Sequence, residues 1–152
     1  MKGLIQRVSQ ASVTVDNRLI AEIPRGLLLL LGVERGDSAA VADQLCRKIL
    51  TYRVFPDEQG RMNRSLLDIE GHLLVVPQFT LAADTTSGTR PGFSRAAAPA
   101  EACDLFRYFV EQARRQGLGE SRVQAGEFGA DMKVALLNDG PVTFMLEAGG
   151  AP

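Results

Sequence analysis

The alternation of apolar and polar positions predicts that the chain begins with short β-strands. Runs rich in β-branched residues cover residues 2–8, 12–16 and 19–23, and brief polar turns separate them. Residues 27–33 are apolar at consecutive positions, which is typical of a central strand covered on both faces. Further strands are predicted at residues 65–69, 73–81, 122–127, 132–138 and 142–147.

Two segments instead have the spacing of amphipathic helices. The first is residues 39–53, with Ser38 as its N-cap, and the second is residues 100–116, with Pro99 in its first turn and Gly117 as its C-cap. The polar, Gly-containing stretch between strand and helix, residues 82–98, is predicted to be an ordered loop. Strands that outnumber two helices favour an α/β fold, with layered, barrel-like mixed β-sheets covered on one side by the helices.

Composition places the chain among globular proteins of one domain, residues 1–152. Apolar residues make up 45% and charged residues 23% of the sequence, which excludes a disordered chain. The formal net charge of −1 argues against a protein that coats nucleic acid through bulk charge, although a local basic patch remains compatible with it. The longest apolar run, residues 27–31, is too short for a membrane span, and polar residues interrupt the first segment before a signal peptide could form. A cytoplasmic location is therefore expected.

The side chains that usually carry catalysis are scarce. His72 is the single histidine and falls at a predicted turn, while Cys46 and Cys103 are far apart and lie on the predicted helices. No nucleophile elbow, phosphate-binding glycine loop or metal-ligand cluster is present in the sequence, so neither a metal nor another cofactor is expected. An enzyme of this composition would depend on backbone donors, a substrate group or water.

Two polar segments stand out against that background. Residues 77–81 (PQFTL) end an apolar strand with an amide, an aromatic ring and a hydroxyl, and residues 138–143 (NDGPVT) interrupt the last apolar stretch. Taken alone, the second segment is most simply a turn. Neither is specific by itself.

Together with three other segments they resemble the D-aminoacyl-tRNA deacylase family, also called the D-tyrosyl-tRNA deacylase family. The matching segments occur in the family's order and with similar spacing, and they extend over nearly the whole chain: the opening MKGLIQRV, QFT at 78–80, GTRPGF at 88–93, GEFGADM at 126–132 and NDGPVT at 138–143. One position departs from the family, because Pro77 stands where Ser usually precedes the Gln.

The resemblance implies a cytosolic homodimer that hydrolyses the ester joining a D-amino acid to the acceptor end of tRNA, as chiral proofreading in translation. It also implies that Gly140 and Pro141 form a cis peptide that reaches into the pocket of the partner subunit. Asn138 and Met132 complete the expected substrate-binding residues. Because the filter would work by steric exclusion of an L side chain, glycyl-tRNA, including glycine mischarged onto the alanine tRNA, should also be cleaved.

An aminoacyl ester is already activated, so the enzyme mainly has to position its carbonyl and stabilise the developing oxyanion. The backbone N–H groups of Phe79 and Thr80 are the candidate donors, and Gln78 would fix the strand end or the terminal adenosine. Nothing in the sequence resembles a base for Thr80, which favours attack by water assisted by the ribose 2′-hydroxyl.

Contacts to tRNA phosphates are expected from five basic residues: Arg61, Arg64, Arg90, Arg95 and Lys133. No binding to DNA or to a membrane is expected. Two other hypotheses stay open at this point. One is a hydrolase of small D-amino-acid esters or amides, and the other is a non-catalytic RNA- or partner-binding domain with the same fold.

Overall fold

A computed structural model describes residues 1–149, so the last three residues of the predicted domain lie outside the described part of the chain. The elements follow one another as β1 (Lys2–Val15), β2 (Arg18–Ile23), β3 (Gly26–Gly32), α1 (Ala39–Thr51), β4 (Phe55–Pro56), β5 (Met62–Arg64), β6 (His72–Pro77), a 3-10 helix (Phe79–Ala82), α2 (Pro99–Ala113), a π-helical turn (Arg114–Leu118), β7 (Val123–Ala125) and β8 (Lys133–Glu147).

The main sheet is mixed, as predicted, and has the order β2-β1-β3-β6-β7. The long strand β1 pairs with β3 through residues 2–8 and with β2 through residues 11–15, while β8 lies antiparallel along it. The pairs β3–β6 and β6–β7 are parallel. Two short strands, β4 and β5, form a separate hairpin.

The central strands β3 and β6 are buried on both faces, and each face supports its own core. Leu27 and Leu29 point with Val75 into a large cluster beneath α1 and α2. Leu28 and Val76 point the other way, into a smaller cluster enclosed by β1, β2 and β8. The predicted class is therefore confirmed: a barrel-like mixed sheet covered on one side by two helices.

Several predicted boundaries are wrong. The predicted strands at 2–8 and 12–16 are one continuous strand, and so are those at 132–138 and 142–147. No strand forms at residues 65–69, because Ser65 and Asp68 hydrogen-bond each other's backbone N–H groups and close a turn. The preceding segment, Met62–Arg64, is the strand instead. The second helix ends at Ala113, and the π-helical turn that follows contains Gly117 at φ 142°.

Candidate active site

The segment Gln78–Thr80 lies where β6 ends. The N–H of Gln78 continues the parallel ladder by donating to the carbonyl of Leu31 (2.8 Å), and the chain then turns into the 3-10 helix. Gly32 makes this sharp turn possible, since a Cβ there would lie 3.2 Å from the carbonyl oxygen of Gln78 and 3.0 Å from Cβ of Leu81. The turn brings residues 79 and 80 to the protein surface.

Phe79 and Thr80 are the first two residues of the 3-10 helix, so their N–H groups have no acceptor within it. Phe79 is 57% exposed, and its ring lies 5.3 Å from that of Phe93. The Thr80 hydroxyl accepts a hydrogen bond from the amide of Gln78, its only side-chain partner among the described residues. An amide is no base, which agrees with a positioning role for Thr80 rather than a nucleophilic one.

The loop that carries Phe93 is ordered, as predicted, by backbone hydrogen bonds. Asp84 and Gly92 exchange two of them (2.7 and 2.9 Å) and close the loop at its base. The Asp84 carboxylate also accepts hydrogen bonds from the hydroxyl and N–H of Thr86, and these lower the pKa of Asp84. Phe93 is thus held beside Phe79 by local structure.

Gly140 and Pro141 lie in an irregularity of β8 rather than in a hairpin turn. Strand β1 pairs with β8 on both sides of it, but the register shifts next to Arg7, so that residues 139–142 bulge from the ladder. The Gly140-Pro141 peptide is cis, and Gly140 has φ 129°. Asn138 fixes the bulge, because its Nδ2 donates to the carbonyls of Arg7 (2.9 Å) and Val142 (3.2 Å).

Arg7 holds the same bulge from the neighbouring strand and was not among the predicted site residues. Its Nε donates to the carbonyl of Asp139 (3.0 Å), and its Nη1 donates to the carbonyl of Val54 (2.7 Å). Its side chain is only 12% exposed. The available signal was weak: an arginine in a strand predicted to lie in the sheet requires a polar partner when its side chain is buried.

Met132 and Pro77 lie together beside Gly126. A Cβ on Gly126 would lie 2.8 Å from Sδ of Met132 and 3.3 Å from Cδ of Pro77, so the three residues are packed together. The β6–β7 ladder has its last pair at Val75 and Ala125. Pro77 lies two residues beyond this pair, and the hydrogen bond to β3 that follows it uses the N–H of Gln78. Proline is therefore compatible with the strand end.

The structure separates the predicted site residues into two groups. Gln78, Phe79 and Thr80 follow Pro77, which packs with Met132 around Gly126, whereas the Asn138–Pro141 segment lies in β8 beside Arg7 of β1. The predicted tRNA contacts are also divided. Arg90 and Arg95 belong to the loop of Phe93, Arg61 and Arg64 to the β4–β5 hairpin, and Lys133 to the start of β8.

Two of these five cations have an acidic neighbour. Arg64 is 3.4 Å from Glu58, and Lys133 is 3.3 Å from Asp131. Both pairs are exposed to solvent and hold their cations weakly.

Within residues 1–149, no group of three or more His, Cys, Asp or Glu side chains is placed to hold a metal ion. Neither of the helices described has the length and apolar character needed to cross a bilayer.

Comparison with known proteins identifies the class to which this fold and site belong. The family model for D-Tyr-tRNA(Tyr) deacylase matches residues 4–147. A D-aminoacyl-tRNA deacylase of Marinobacter nauticus is 69% identical over 149 residues, covering 98% of this chain and 95% of that protein. Another, from Pectobacterium atrosepticum, is 57% identical and covers 97% and 99%.

Solved structures agree in fold. A protein described as c-Myc DNA Unwinding Element Binding Protein superimposes with a TM-score of 0.94 at 39% identity, covering 99% of this chain and 100% of that one. A probable eukaryotic D-amino acid tRNA deacylase superimposes with a TM-score of 0.82 at 18% identity, covering 96% and 98%. The chain belongs to the D-Tyr-tRNA(Tyr) deacylase family, and the predicted activity, that of a hydrolase of the D-aminoacyl-tRNA deacylase class, is confirmed.

Proposed function

We propose that this protein removes D-amino acids from tRNA in the cytoplasm at an active site that two identical subunits complete together. Gln78, Phe79 and Thr80 of one subunit form one wall, and Gly140 and Pro141 of the partner subunit form the other. The observation that carries this proposal is that the two groups lie at different strands of a single chain, with no hydrogen bond between them among the described residues.

The sheet itself separates them. Arg7, beside the Gly140 bulge, pairs with Leu27 of β3, whereas Gln78 bonds to Leu31 four residues further along the same strand. Three strand spacings also lie between β8 and β6. The two groups therefore lie at different strands of the sheet, and no hydrogen bond among the described residues joins them. In this proposal a second subunit brings its Gly140 against the substrate bound at Thr80.

A second copy of the chain suits the exposed surface of β8. This 15-residue strand pairs only with β1 among the described elements, so its other edge carries free backbone groups. Large apolar side chains are exposed along it, namely Leu136, Leu137, Phe144 and Met145. A long apolar edge strand associates unless it is protected, and a symmetric pairing of two copies would bury it.

The proposed chemistry needs no side-chain base. The free N–H groups of Phe79 and Thr80 point to the position at which the ester carbonyl oxygen becomes negative, and they stabilise it there. Gln78 holds the Thr80 hydroxyl and so fixes the geometry of the turn. Water attacks the carbonyl carbon, the ester bond to the ribose oxygen breaks, and the neighbouring 2′-hydroxyl of the substrate assists transfer of the water proton to that departing oxygen.

Selection for D-amino acids follows from the backbone at the bulge. The carbonyl of Asp139 is already occupied by Arg7, which leaves the carbonyls of Gly140 and Pro141 of the partner subunit to accept hydrogen bonds from the substrate ammonium group. A substrate held in this way has no space for a side chain of L configuration. Glycine has no side chain to exclude, so glycyl-tRNA, including glycine on the alanine tRNA, is cleaved as well.

Asn138 and Met132 contribute by support. Asn138 keeps the bulge in place, and Met132 packs against Gly126 beside Pro77, at the end of the strand that leads into the turn. The tRNA phosphates are contacted by cations that surround the two walls: Arg61, Arg64, Arg90, Arg95 and Lys133.

Complementation between two inactive subunits tests the proposal. Phe79→Pro deletes one donor at a position where proline suits the first helical residue, and Gly140→Val obstructs the other wall. Co-expression with two different affinity tags allows the heterodimer to be isolated. Each heterodimer has one site built from two intact walls, so it should recover about half the wild-type rate with D-tyrosyl-tRNA.

Each homodimeric variant serves as the inactive control, and thermal unfolding shows that it is folded. Heterodimers that remain inactive while both variants are folded would contradict a site shared between subunits.

A further inference from the structure

Two open cavities share one residue, Arg35, and the smaller of them adjoins the Phe79–Phe93 pair. The smaller, of about 570 Å³, is lined by Phe79, Phe93 and the start of α2. The larger, of about 910 Å³, extends from Arg35 to the first residue of β1. Three cations line the larger cavity, which we name the basic groove: Lys2, Arg35 and Arg95.

Two of the three carboxylates that line the basic groove share an ion pair with one ammonium group. The N-terminal ammonium of Met1 is 3.1 Å from the carboxylate of Glu34 and 3.0 Å from that of Asp37. The second carboxylate oxygen of Asp37 accepts the N–H of Glu34 at 2.7 Å. Glu147 is the remaining carboxylate on the rim.

The three cations themselves form no ion pair among residues 1–149, although the charge of Arg95 contributes to lowering the pKa of Asp84. With the Met1 ammonium counted, positive groups outnumber the carboxylates of the groove by one, and Arg35 lies next to an aromatic surface.

Backbone contacts join the segment of Arg35 to the segment that carries Arg95 and Phe93. The N–H of Arg35 donates to the carbonyl of Arg95 (2.8 Å), and Glu34 forms an isolated β-bridge with Ala96. Phe93 lies two residues before Arg95 in the same segment, and its ring contacts Phe79. A ligand that extends from Phe79 would therefore meet Arg35 first.

We propose that the basic groove binds phosphate groups of the tRNA acceptor strand just before the terminal adenosine, with Arg35 as the central contact. The proposal rests on the function proposed above and adds to it the path of the nucleic acid. Guanidinium groups bind phosphate oxygens in a bidentate manner, which suits an arginine at the junction of the two cavities. Lys2 and Arg35 are therefore tRNA contacts beyond those predicted from the sequence.

Comparison of two substrates tests this assignment. D-tyrosyl-tRNA carries the acceptor strand, whereas 3′-O-(D-tyrosyl)adenosine has the same ester and no phosphate. Arg35→Ala should lower kcat/KM for D-tyrosyl-tRNA by ~10-fold through KM, and it should make the salt dependence shallower by about one phosphate contact. For the adenosine ester, kcat/KM should stay within about 2-fold of wild type, since that substrate lacks the group that Arg35 contacts.

A matched control is Arg18→Ala, an exposed arginine that begins β2 and pairs with Val15, at the end of β1 away from Lys2. This substitution removes the same charge and should leave both substrates and the salt dependence unchanged. Arg35→Lys should restore most of the activity on tRNA, whereas Arg35→Gln should not.

Equal losses on both substrates would mean that Arg35 only supports the active site, and unchanged kinetics on both would mean that the groove does not bind the acceptor strand. Either result overturns the assignment. Binding of uncharged tRNA by fluorescence anisotropy decides it independently of catalysis. We expect Arg35→Ala to bind uncharged tRNA more weakly than the wild-type protein does, and Arg18→Ala to bind it equally well. If the wild-type protein hydrolyses neither ester, that result contradicts the proposed function rather than the groove.

Discussion

Replacement of Gly140 by alanine should damage catalysis much more than its size suggests. Gly140 has φ 129°, where a residue with a Cβ is strained by ~1–3 kcal/mol. The added Cβ would also lie 2.8 Å from Cγ2 and 3.1 Å from N of Val142, and 3.0 Å from Nη2 of Arg7. The bulge must therefore shift, and the carbonyls proposed to bind the substrate ammonium shift with it.

We expect Gly140→Ala to lower kcat/KM for D-tyrosyl-tRNA by at least ~10-fold, which is about 1.4 kcal/mol of transition-state stabilisation. Single-turnover hydrolysis under excess enzyme separates this loss from any change in product release. If the transition state bore the full strain of ~3 kcal/mol, kcat/KM would fall by ~100-fold or more.

Gly119→Ala is the matched control, since Gly119 also has a positive φ (74°) but no atom within 4 Å of the added Cβ. This variant should lose stability without losing kcat/KM. Wild-type kcat/KM for Gly140→Ala, with the protein folded, would refute the assignment of Gly140 to the substrate pocket.

Three further predictions concern Pro77, Cys46 and Asp84. Pro77→Ser should change the rate of single-turnover hydrolysis by less than ~100-fold, or under about 2.7 kcal/mol, because Pro77 lies beyond the β6–β7 ladder and removes neither proposed donor. An inactive natural protein with a fully active Ser variant would contradict this and make the position essential. Burial, and to a smaller extent the charge of Asp43, raises the pKa of Cys46 to about 12. This thiol should therefore resist iodoacetamide at pH 8 until the protein is unfolded. Rapid labelling of Cys46 in the native protein would contradict its burial. The folded-state pKa of Asp84 is lowered, so the stability that its hydrogen bonds add is present above the ordinary carboxyl pKa and lost as pH falls through the lowered value. Urea unfolding should therefore show a gap between wild type and Thr86→Ala at pH 7 that shrinks below about pH 4, and a pH-independent gap would contradict this origin.

The fold was predictable where the apolar pattern is continuous. Residues 27–33 predict a strand buried on both faces, and Leu28 and Leu29 do point into different cores. The pattern could not show that the strands at 132–138 and 142–147 are one, because Asn138–Pro141 has the composition of a turn. β8 is continuous there because β1 pairs with it on both sides of the bulge. That pairing joins segments distant in sequence, so the local pattern does not reveal it.

The candidate site residues were predictable mainly through motif resemblance. The residues that hold them in place were not predictable. Arg7 was missed because an arginine in a strand gives no sign of its partners, which come from residues 54 and 139. Arg35 was missed because its significance depends on the loop of Phe93, which is distant in sequence. The spacing of residues also could not reveal that β1 and β3 separate the strand of Gly140 from the strand that ends before Gln78, since that follows from the strand order.

The hydrolysis of paired D- and L-tyrosyl-tRNA by the wild-type protein tests the central claim most directly. Both substrates carry the same tRNA and side chain, so their rates differ only through the configuration at the α-carbon. The account predicts rapid release of D-tyrosine, release of L-tyrosine no faster than without enzyme, and cleavage of glycyl-tRNA at a rate that approaches the D-substrate. Equal rates for the D- and L-esters would contradict a filter built from Gly140 and Pro141.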